Sequence, residues 1–313
     1  MAQARRALNS TARPAAWQIW LKTARPFTLT ATVSPLLVGT ALAAYEGTMR
    51  PAIFLVTLLS ALCLQIGANY FNEYFDYAYG LDHAGSLGAS TVIFRGEMTP
   101  GQVRLAGVFS FALAALFGLY LIAQVGPTII LFGLAAMAIA YFYSAKPFQL
   151  ASRGLGDPLV YLAMGVLMTW GAYYVQIPHW SWRAFAASAP VGLLVVGILN
   201  MNNVRDYEDD LAVQKKTLVV RFGRRFGQRY HAALLCGAYA ATTVLALVGA
   251  LPLATLGVWV TFPLAYSIVR SVLTAMERRA FVIGIKRTSL LHLAFGAALA
   301  LCLVVAAAIH VVR

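Results

Sequence analysis

Charge is scarce in this chain. Only 11% of its 313 residues are Asp, Glu, Lys or Arg, while 60% are hydrophobic; an ordinary soluble domain carries about 25% charged residues. That balance excludes a water-soluble enzyme of this size, a secreted scaffold and a disordered tail. Cysteine is scarce too. Cys63, Cys236 and Cys302 each lie inside an apolar run, which speaks against a disulfide framework and leaves them as small buried hydrophobes. No paired Cys/His spacing suits zinc. Residues 1–16 are basic and alanine-rich but lack the short apolar core of a signal peptide. They are expected to form a flexible cytoplasmic tail ahead of one domain covering 17–313.

What the chain has in plenty is apolar runs of about 20 residues, the length that crosses a bilayer as a helix. Nine are visible, at about 27–45, 52–71, 104–124, 126–143, 157–176, 184–201, 231–249, 252–270 and 289–309. The expected fold is therefore all-α, a polytopic membrane protein with nine transmembrane helices. The basic residues orient it. The tail and the even-numbered connections hold 21 of the 24 Lys and Arg, and the odd-numbered connections with the C-terminus hold 3. Basic loops stay inside, so the N-terminus is expected in the cytoplasm and the C-terminus outside. The net charge of +13 then reflects membrane topology rather than nucleic-acid binding.

The 11 acidic residues are the most informative feature. Glu73, Asp76, Asp82 and Glu97 lie at or after the end of the second span, and Asp206, Glu208, Asp209 and Asp210 follow the sixth. Both groups fall on the expected cytoplasmic side. Acids near hydrocarbon are costly and usually mark function. The two segments also match, since each carries Asn-x-x-x-Asp. Residues four apart share a helix face, which aligns Asn72 with Asp76, and Asn202 with Asp206 and Asp210. Asp82 is out of register by two and needs a bend near Gly80. Two such helix ends, four spans apart, look like a parallel internal repeat whose halves enclose a central cavity. Clustered carboxylates call for cations, and hard oxygen donors select Mg²⁺ or Ca²⁺. Mg²⁺ typically completes its shell with water and substrate phosphate, and a diphosphate also needs basic partners. Candidates on the same side are Arg25, Arg95, Lys146, Lys215 and Arg221. The aromatic residues around the first segment, Tyr70 to Tyr79, suit either an interfacial belt or a cavity that shelters a cation.

These segments resemble the UbiA superfamily of intramembrane aromatic prenyltransferases, from Trp17 to the last span. The resemblance is carried by Leu21-Lys22-Thr23-Ala24-Arg25-Pro26, by Asn72-Glu73-Tyr74-Phe75-Asp76 with Gly80-Leu81-Asp82, by Gly154-Leu155-Gly156-Asp157, and by Asn202-Asn203-Val204-Arg205-Asp206 through Asp210 to Thr217-Leu218-Val219-Val220-Arg221-Phe222-Gly223. It implies a polyprenyl diphosphate donor and an aromatic acid acceptor. The acceptor it favours is 1,4-dihydroxy-2-naphthoate, prenylated with loss of its carboxylate; 4-hydroxybenzoate and homogentisate are the alternatives. It implies Mg²⁺ held by Asn72, Asp76, Asp82, Asn202, Asp206 and Asp210. Asp76, Asp206, Asp210, Lys146 and Lys215 are then expected as catalytic groups, and Arg25, Arg95, Lys146, Lys215 and Arg221 as diphosphate partners. Asn69, Tyr143 and Asp157 are expected beside the acceptor, with a cap on span 5 as the other role for Asp157. Two positions depart from the family pattern. Glu73 stands where Asp is usual, and Gln214 precedes Lys215 where Gly is usual. The rival classes are an ion-coupled transporter, whose coupling acids belong near mid-membrane, and a lipid-binding scaffold, which gives no reason for two matched Asn/Asp segments.

Overall fold

The computed structural model describes residues 15–81 and 91–312. Asp82, expected among the metal ligands, lies outside the described residues, as does most of the N-terminal tail. The described chain is helical throughout, with no strand among the described residues. A short helix α1 (Ala16–Ala24) leads into α2 (Pro26–Tyr45), α3 (Pro51–Ala78), α4 (Pro100–Val125), α5 (Ile129–Phe142), α6 (Ala151–Tyr174) and α7 (Trp182–Arg205). Two short pieces follow, α8 (Tyr207–Ala212) and α9 (Leu218–Phe222). The chain closes with α10 (Arg224–Leu247), α11 (Leu253–Thr274) and α12 (Arg278–Val312).

Eight of these helices are long and apolar enough to cross a membrane. The fourth expected span is the exception. Its helix α5 has 14 residues, about 21 Å at 1.5 Å per residue, short of the roughly 30 Å hydrocarbon core. The apolar run that suggested it began at Gly126-Pro127-Thr128, which form the turn after α4 instead. Gly126 there takes φ 123° and ends α4.

Local chemistry sets the helix starts. Pro51 and Pro100 occupy first-turn positions, where a missing N–H costs nothing. Thr99 accepts the N–H of Gln102, Ser181 that of Ala184 and Thr217 that of Val220, each at 3.2 Å. Several helices run past their apolar core on the side that carries the acids: α3 continues to Ala78, α10 begins at Arg224 and α12 at Arg278. The α3 extension carries the first acidic segment, and the α10 and α12 starts supply Arg224 and Arg278, which pair with Glu208 and Asp209 of the second.

Helices cross closely where small residues permit it, as is usual between membrane helices. A Cβ on Gly39 of α2 would stand 2.1 Å from the Thr169 carbonyl of α6, and one on Gly165 of α6 would stand 2.6 Å from Gly192 Cα of α7. The main core lies among α2, α7, α10, α11 and α12, where Leu42, Leu194, Leu235, Ile268 and Phe295 are all buried. Two side-chain amide nitrogens cross-link it: Asn200 Nδ2 donates to the Gly227 carbonyl at 2.8 Å, and Gln228 Nε2 to Val272 and Ala275 carbonyls at 2.7 and 2.8 Å. At the opposite end of the bundle Glu46 accepts the Tyr173 hydroxyl and pairs with Arg183 at 3.7 Å.

Candidate active site

One large cavity, about 640 Å³, opens among α3, α4, α5, α6 and α7. Its wall on α3 extends from Thr57 to Asp76, a climb of roughly 28 Å at about 1.5 Å per residue, close to the thickness of the hydrocarbon layer. Most of its length is apolar, walled by Leu64, Leu121, Ile129, Met137, Leu167 and Val175. Its acidic end holds Asn72 and Asp76 from the first segment, with Asn202, Asp206 and Asp210 from the second. The structure thus brings five of the six expected metal ligands to one cavity.

The first segment stays helical through Ala78, so Asn72 and Asp76 share a face, and Gly80 turns the chain at φ 69° where a bend was needed. The second segment breaks at Asp206, which joins α7 to α8. The Asp210 N–H still donates to the Asp206 carbonyl at 2.8 Å, so the four-residue register survives the break. Other acids of the segments are engaged elsewhere. Glu208 pairs with Arg224, Asp209 with Arg278 at 2.5 Å, and buried Glu73 accepts the Ile93 N–H at 3.3 Å. The longer arm of Glu73 therefore ties down the segment from Thr91 and is absent from the cavity wall. Gln214 adopts φ 55°, the left-handed conformation that Gly would take most easily, so the turn before Lys215 forms without Gly.

Lys215 pairs with the second segment and lies in the field of the first. Its Nζ lies 2.9 Å from Asp210 Oδ1. Burial alone would lower the ammonium pKa, but Asp210 and Asp76, then Asp206, outweigh it and raise it, so Lys215 stays cationic. Burial raises the Asp210 pKa, against which Lys215 acts. Asp206, expected as a metal ligand, has a side-chain partner of its own. Arg205, buried and missed by the sequence reading, clamps it through Nε at 2.7 Å and Nη2 at 2.5 Å. Its only sequence signal is adjacency to Asp206.

The remaining expected groups divide. Arg25 lines the cavity at φ 54°, and its Nε is buried without a partner. A non-glycine residue held in that region stores on the order of 1 kcal/mol, a feature concentrated at functional sites. Lys146 is exposed at the rim, 4.7 Å over the Tyr79 ring, while its N–H donates to the Tyr79 hydroxyl at 3.0 Å. Three of the expected diphosphate partners, Lys146 among them, do not line the cavity. Arg95 is exposed on the turn after Thr91, and Arg221 is exposed beside Gly154, and neither lines the cavity. The Arg221 guanidinium lies beside Gly154, a residue that does line the cavity. Asn69, Tyr143 and Asp157 do line it. The amide of Asn69, however, is spent on the Ala24 carbonyl at 2.8 Å and Thr28 Oγ1 at 3.1 Å, which fix α1 and the start of α2 against α3. Burial, reinforced by Asp157, Asp76 and Asp210, drives the Tyr143 hydroxyl far above its ordinary pKa, so it remains an O–H donor.

Among the described residues no three Asp, Glu, His or Cys side chains form a ready metal cage. The donors present are hard oxygens, Asp76 and Asp210 with the amides of Asn72 and Asn202. That set fits Mg²⁺ held by one or two carboxylates and completed by substrate phosphate.

Helices of membrane-spanning length around an acid-tipped, lipid-lengthed cavity define an integral membrane protein with a site for a long amphiphile. The profile of the UbiA prenyltransferase family matches residues 32–282. The chain belongs to this family and is a membrane prenyltransferase. It is 34% identical over 233 residues to the 1,4-dihydroxy-2-naphthoate octaprenyltransferase of Bacillus subtilis, covering 74% of this chain and 75% of that one. It is 32% identical over 286 residues to the enzyme of the same name from Mycobacterium tuberculosis, covering 90% and 95%. A UbiA homologue from Archaeoglobus fulgidus, solved bound to DMAPP and Mg²⁺, shares the fold with a TM-score of 0.62 at 19% identity, over 90% of this chain and 99% of that one.

Proposed function

We propose that this prenyltransferase moves a polyprenyl group from an allylic polyprenyl diphosphate to 1,4-dihydroxy-2-naphthoate, with loss of the ring carboxylate as CO₂, giving demethylmenaquinol, the reduced form of demethylmenaquinone. The acceptor is the one in the names of the relatives at 34% and 32% identity. The observation that carries the donor site is Lys215, a cation paired with Asp210 of the second acidic segment and lining the same cavity as Asp76 of the first, at the head of its apolar wall. That is the layout for an anionic head and a hydrocarbon tail.

In this reading the diphosphate lies at the acidic end. Asp76 and Asp210, with Asn72, Asn202 and Asp206, would hold Mg²⁺, which neutralises charge on the leaving diphosphate when bound. Asp82 is assigned to the same set. Lys215 and Arg25 supply fixed positive charge where negative charge develops as the C–O bond breaks. Arg205 orients Asp206. The tail lies along the apolar wall between Thr57 and Ala68, where burial from water favours it and where water is kept from the allylic cation. Lys146, at the rim, assists entry of the anionic head rather than the bond-breaking step. The site faces the cytoplasm of a bacterial-type inner membrane, on the side with 21 of the 24 basic residues.

The test is to incubate purified protein with Mg²⁺, a set of prenyl diphosphates, and dihydroxynaphthoate, 4-hydroxybenzoate or homogentisate, recording product masses. A prenylated product lacking CO₂ from dihydroxynaphthoate alone is expected. Preferential prenylation of another acceptor would overturn the acceptor assignment, and no diphosphate release with any acceptor would overturn the activity.

A further inference from the structure

One carboxylate in the cavity belongs to neither acidic segment. Asp157, near the start of α6, lines the cavity while only 6% of its surface is exposed. Its Oδ1 has no hydrogen-bond partner among the described residues. The Tyr230 hydroxyl of α10 is its side-chain hydrogen-bonding neighbour. A buried carboxylate oxygen left unpaired is expensive, because it forfeits water without gaining a donor. Other buried polar atoms among the described residues also lack partners, but Asp157 Oδ1 is the carboxylate oxygen among them, and Asp157 lines the cavity, where a ligand can supply the donor. The position is right for the acceptor. The Tyr143 hydroxyl stands 3.5 Å from where a Cβ on Gly156 would be, and the charges of Asp157, Asp76 and Asp210 all act on it. Asp157 is thus one side chain removed from the diphosphate end, where the reacting carbon of the donor must lie. No basic side chain is among the groups acting on it.

We infer that Asp157 is a catalytic base that takes the proton of the acceptor's ring hydroxyl adjacent to the carbon being prenylated. This rests on the phenolic-acceptor reading above. The O–H proton passes to Asp157 Oδ1, and the freed oxygen pair pushes density onto the adjacent ring carbon. That carbon's π pair forms the new C–C bond as the allylic C–O bond breaks and its pair leaves with diphosphate. The ring now holds a ketone beside a carbon bearing both the prenyl group and the carboxylate. The bond to the carboxylate breaks, CO₂ departs, its electron pair restores the ring as an enolate, and the oxygen recovers its proton from Asp157. No oxidant or reductant enters. Tyr143 and Tyr230, both hydrogen-bond donors, stabilise the carboxylate without competing as bases.

The experiment uses the full chain in detergent with Mg²⁺ and geranyl diphosphate. Acceptors are dihydroxynaphthoate, its 1-methyl ether, and a ring-halogenated analogue whose hydroxyl is already ionised at the assay pH. Asp157→Asn is expected to lower kcat on dihydroxynaphthoate by about 10²–10³-fold, the usual worth of a positioned base, with the KM for geranyl diphosphate unchanged within about threefold. The halogenated analogue should recover at least about tenfold of the lost rate, since it needs no base. Asp157→Glu should retain more activity than Asp157→Asn, and the wild type should leave the methyl ether unreacted. An equal loss on both ionisable acceptors, a kcat for Asp157→Asn close to wild type, or prenylation of the methyl ether by the wild type would each overturn the assignment. Should Asp157→Asn fail to fold, the glutamate variant and the wild-type comparison of hydroxyl with ether still decide it. Should the wild type ignore dihydroxynaphthoate but prenylate another phenolic acid, the acceptor reading falls, and the same variants are judged on that acid and its ether.

Discussion

Replacing Lys215 by methionine removes the cation paired with Asp210 in the cavity shared with Asp76, while keeping most of the side-chain volume. At 2.9 Å from Asp210 Oδ1, the pair's Coulomb attraction is roughly 6 kcal/mol at an effective dielectric of about 20. Desolvation of both groups offsets much of that. The larger consequence is kinetic. A fixed cation beside a leaving anion is worth about 10²–10³ in kcat, or about 3–4 kcal/mol. Lys215→Met should therefore lower kcat for prenyl transfer by that factor, measured as product formed at saturating prenyl diphosphate and acceptor. Its neighbour Lys216 is exposed, and its N–H donates to the Ser152 carbonyl, so Lys216→Met should change kcat by no more than about twofold. Wild-type kcat in Lys215→Met, or an equal loss in Lys216→Met, would refute the reasoning.

Asp76→Asn should abolish transfer while the protein still inserts and extracts as a folded species, seen by size-exclusion elution in detergent. Asp206 must be read through Asn as well, because Asp206→Ala would leave buried Arg205 unpaired at roughly 3–5 kcal/mol and confound activity with folding. Lys146→Ala removes only an exposed cation over Tyr79, a contact worth about 0.5–1 kcal/mol; it should raise the KM for prenyl diphosphate severalfold or less and leave kcat alone. Gly154→Ala should lower the Tm and the activity together, because Gly154 sits at φ 85° and an added Cβ would meet the Lys216 carbonyl at 2.5 Å.

Much of this site is legible in the sequence because its parts are local. The Asn72/Asp76 spacing and the Asn202/Asp206/Asp210 spacing are read off a helical register, and both sets do face one cavity. The bend at Gly80 follows from the same register. What escapes is non-local or depends on side-chain competition. Hydropathy marks where lipid lies, not where helical hydrogen bonds end, so the starts of α10 and α12 at Arg224 and Arg278 fall outside the apolar runs. The turn residues Gly126 and Pro127 count as apolar in a run and so lengthen α5 on paper. Arg205 and Asp206 are adjacent, yet their mutual clamp depends on the helix break at Asp206. The pairing of Asp157 with Tyr230 spans α6 and α10, and no spacing announces it.

The central claim is that the two acidic segments grip one diphosphate together. Crystals soaked with Mn²⁺ and a non-reactive prenyl thiodiphosphate give the most direct answer, through the anomalous signal of the metal. The account predicts a peak within coordination distance of Asp76 from one segment and of Asp206 or Asp210 from the other, with the diphosphate beside Lys215. A peak coordinated by one segment alone, or a diphosphate lying away from Lys215, would contradict it.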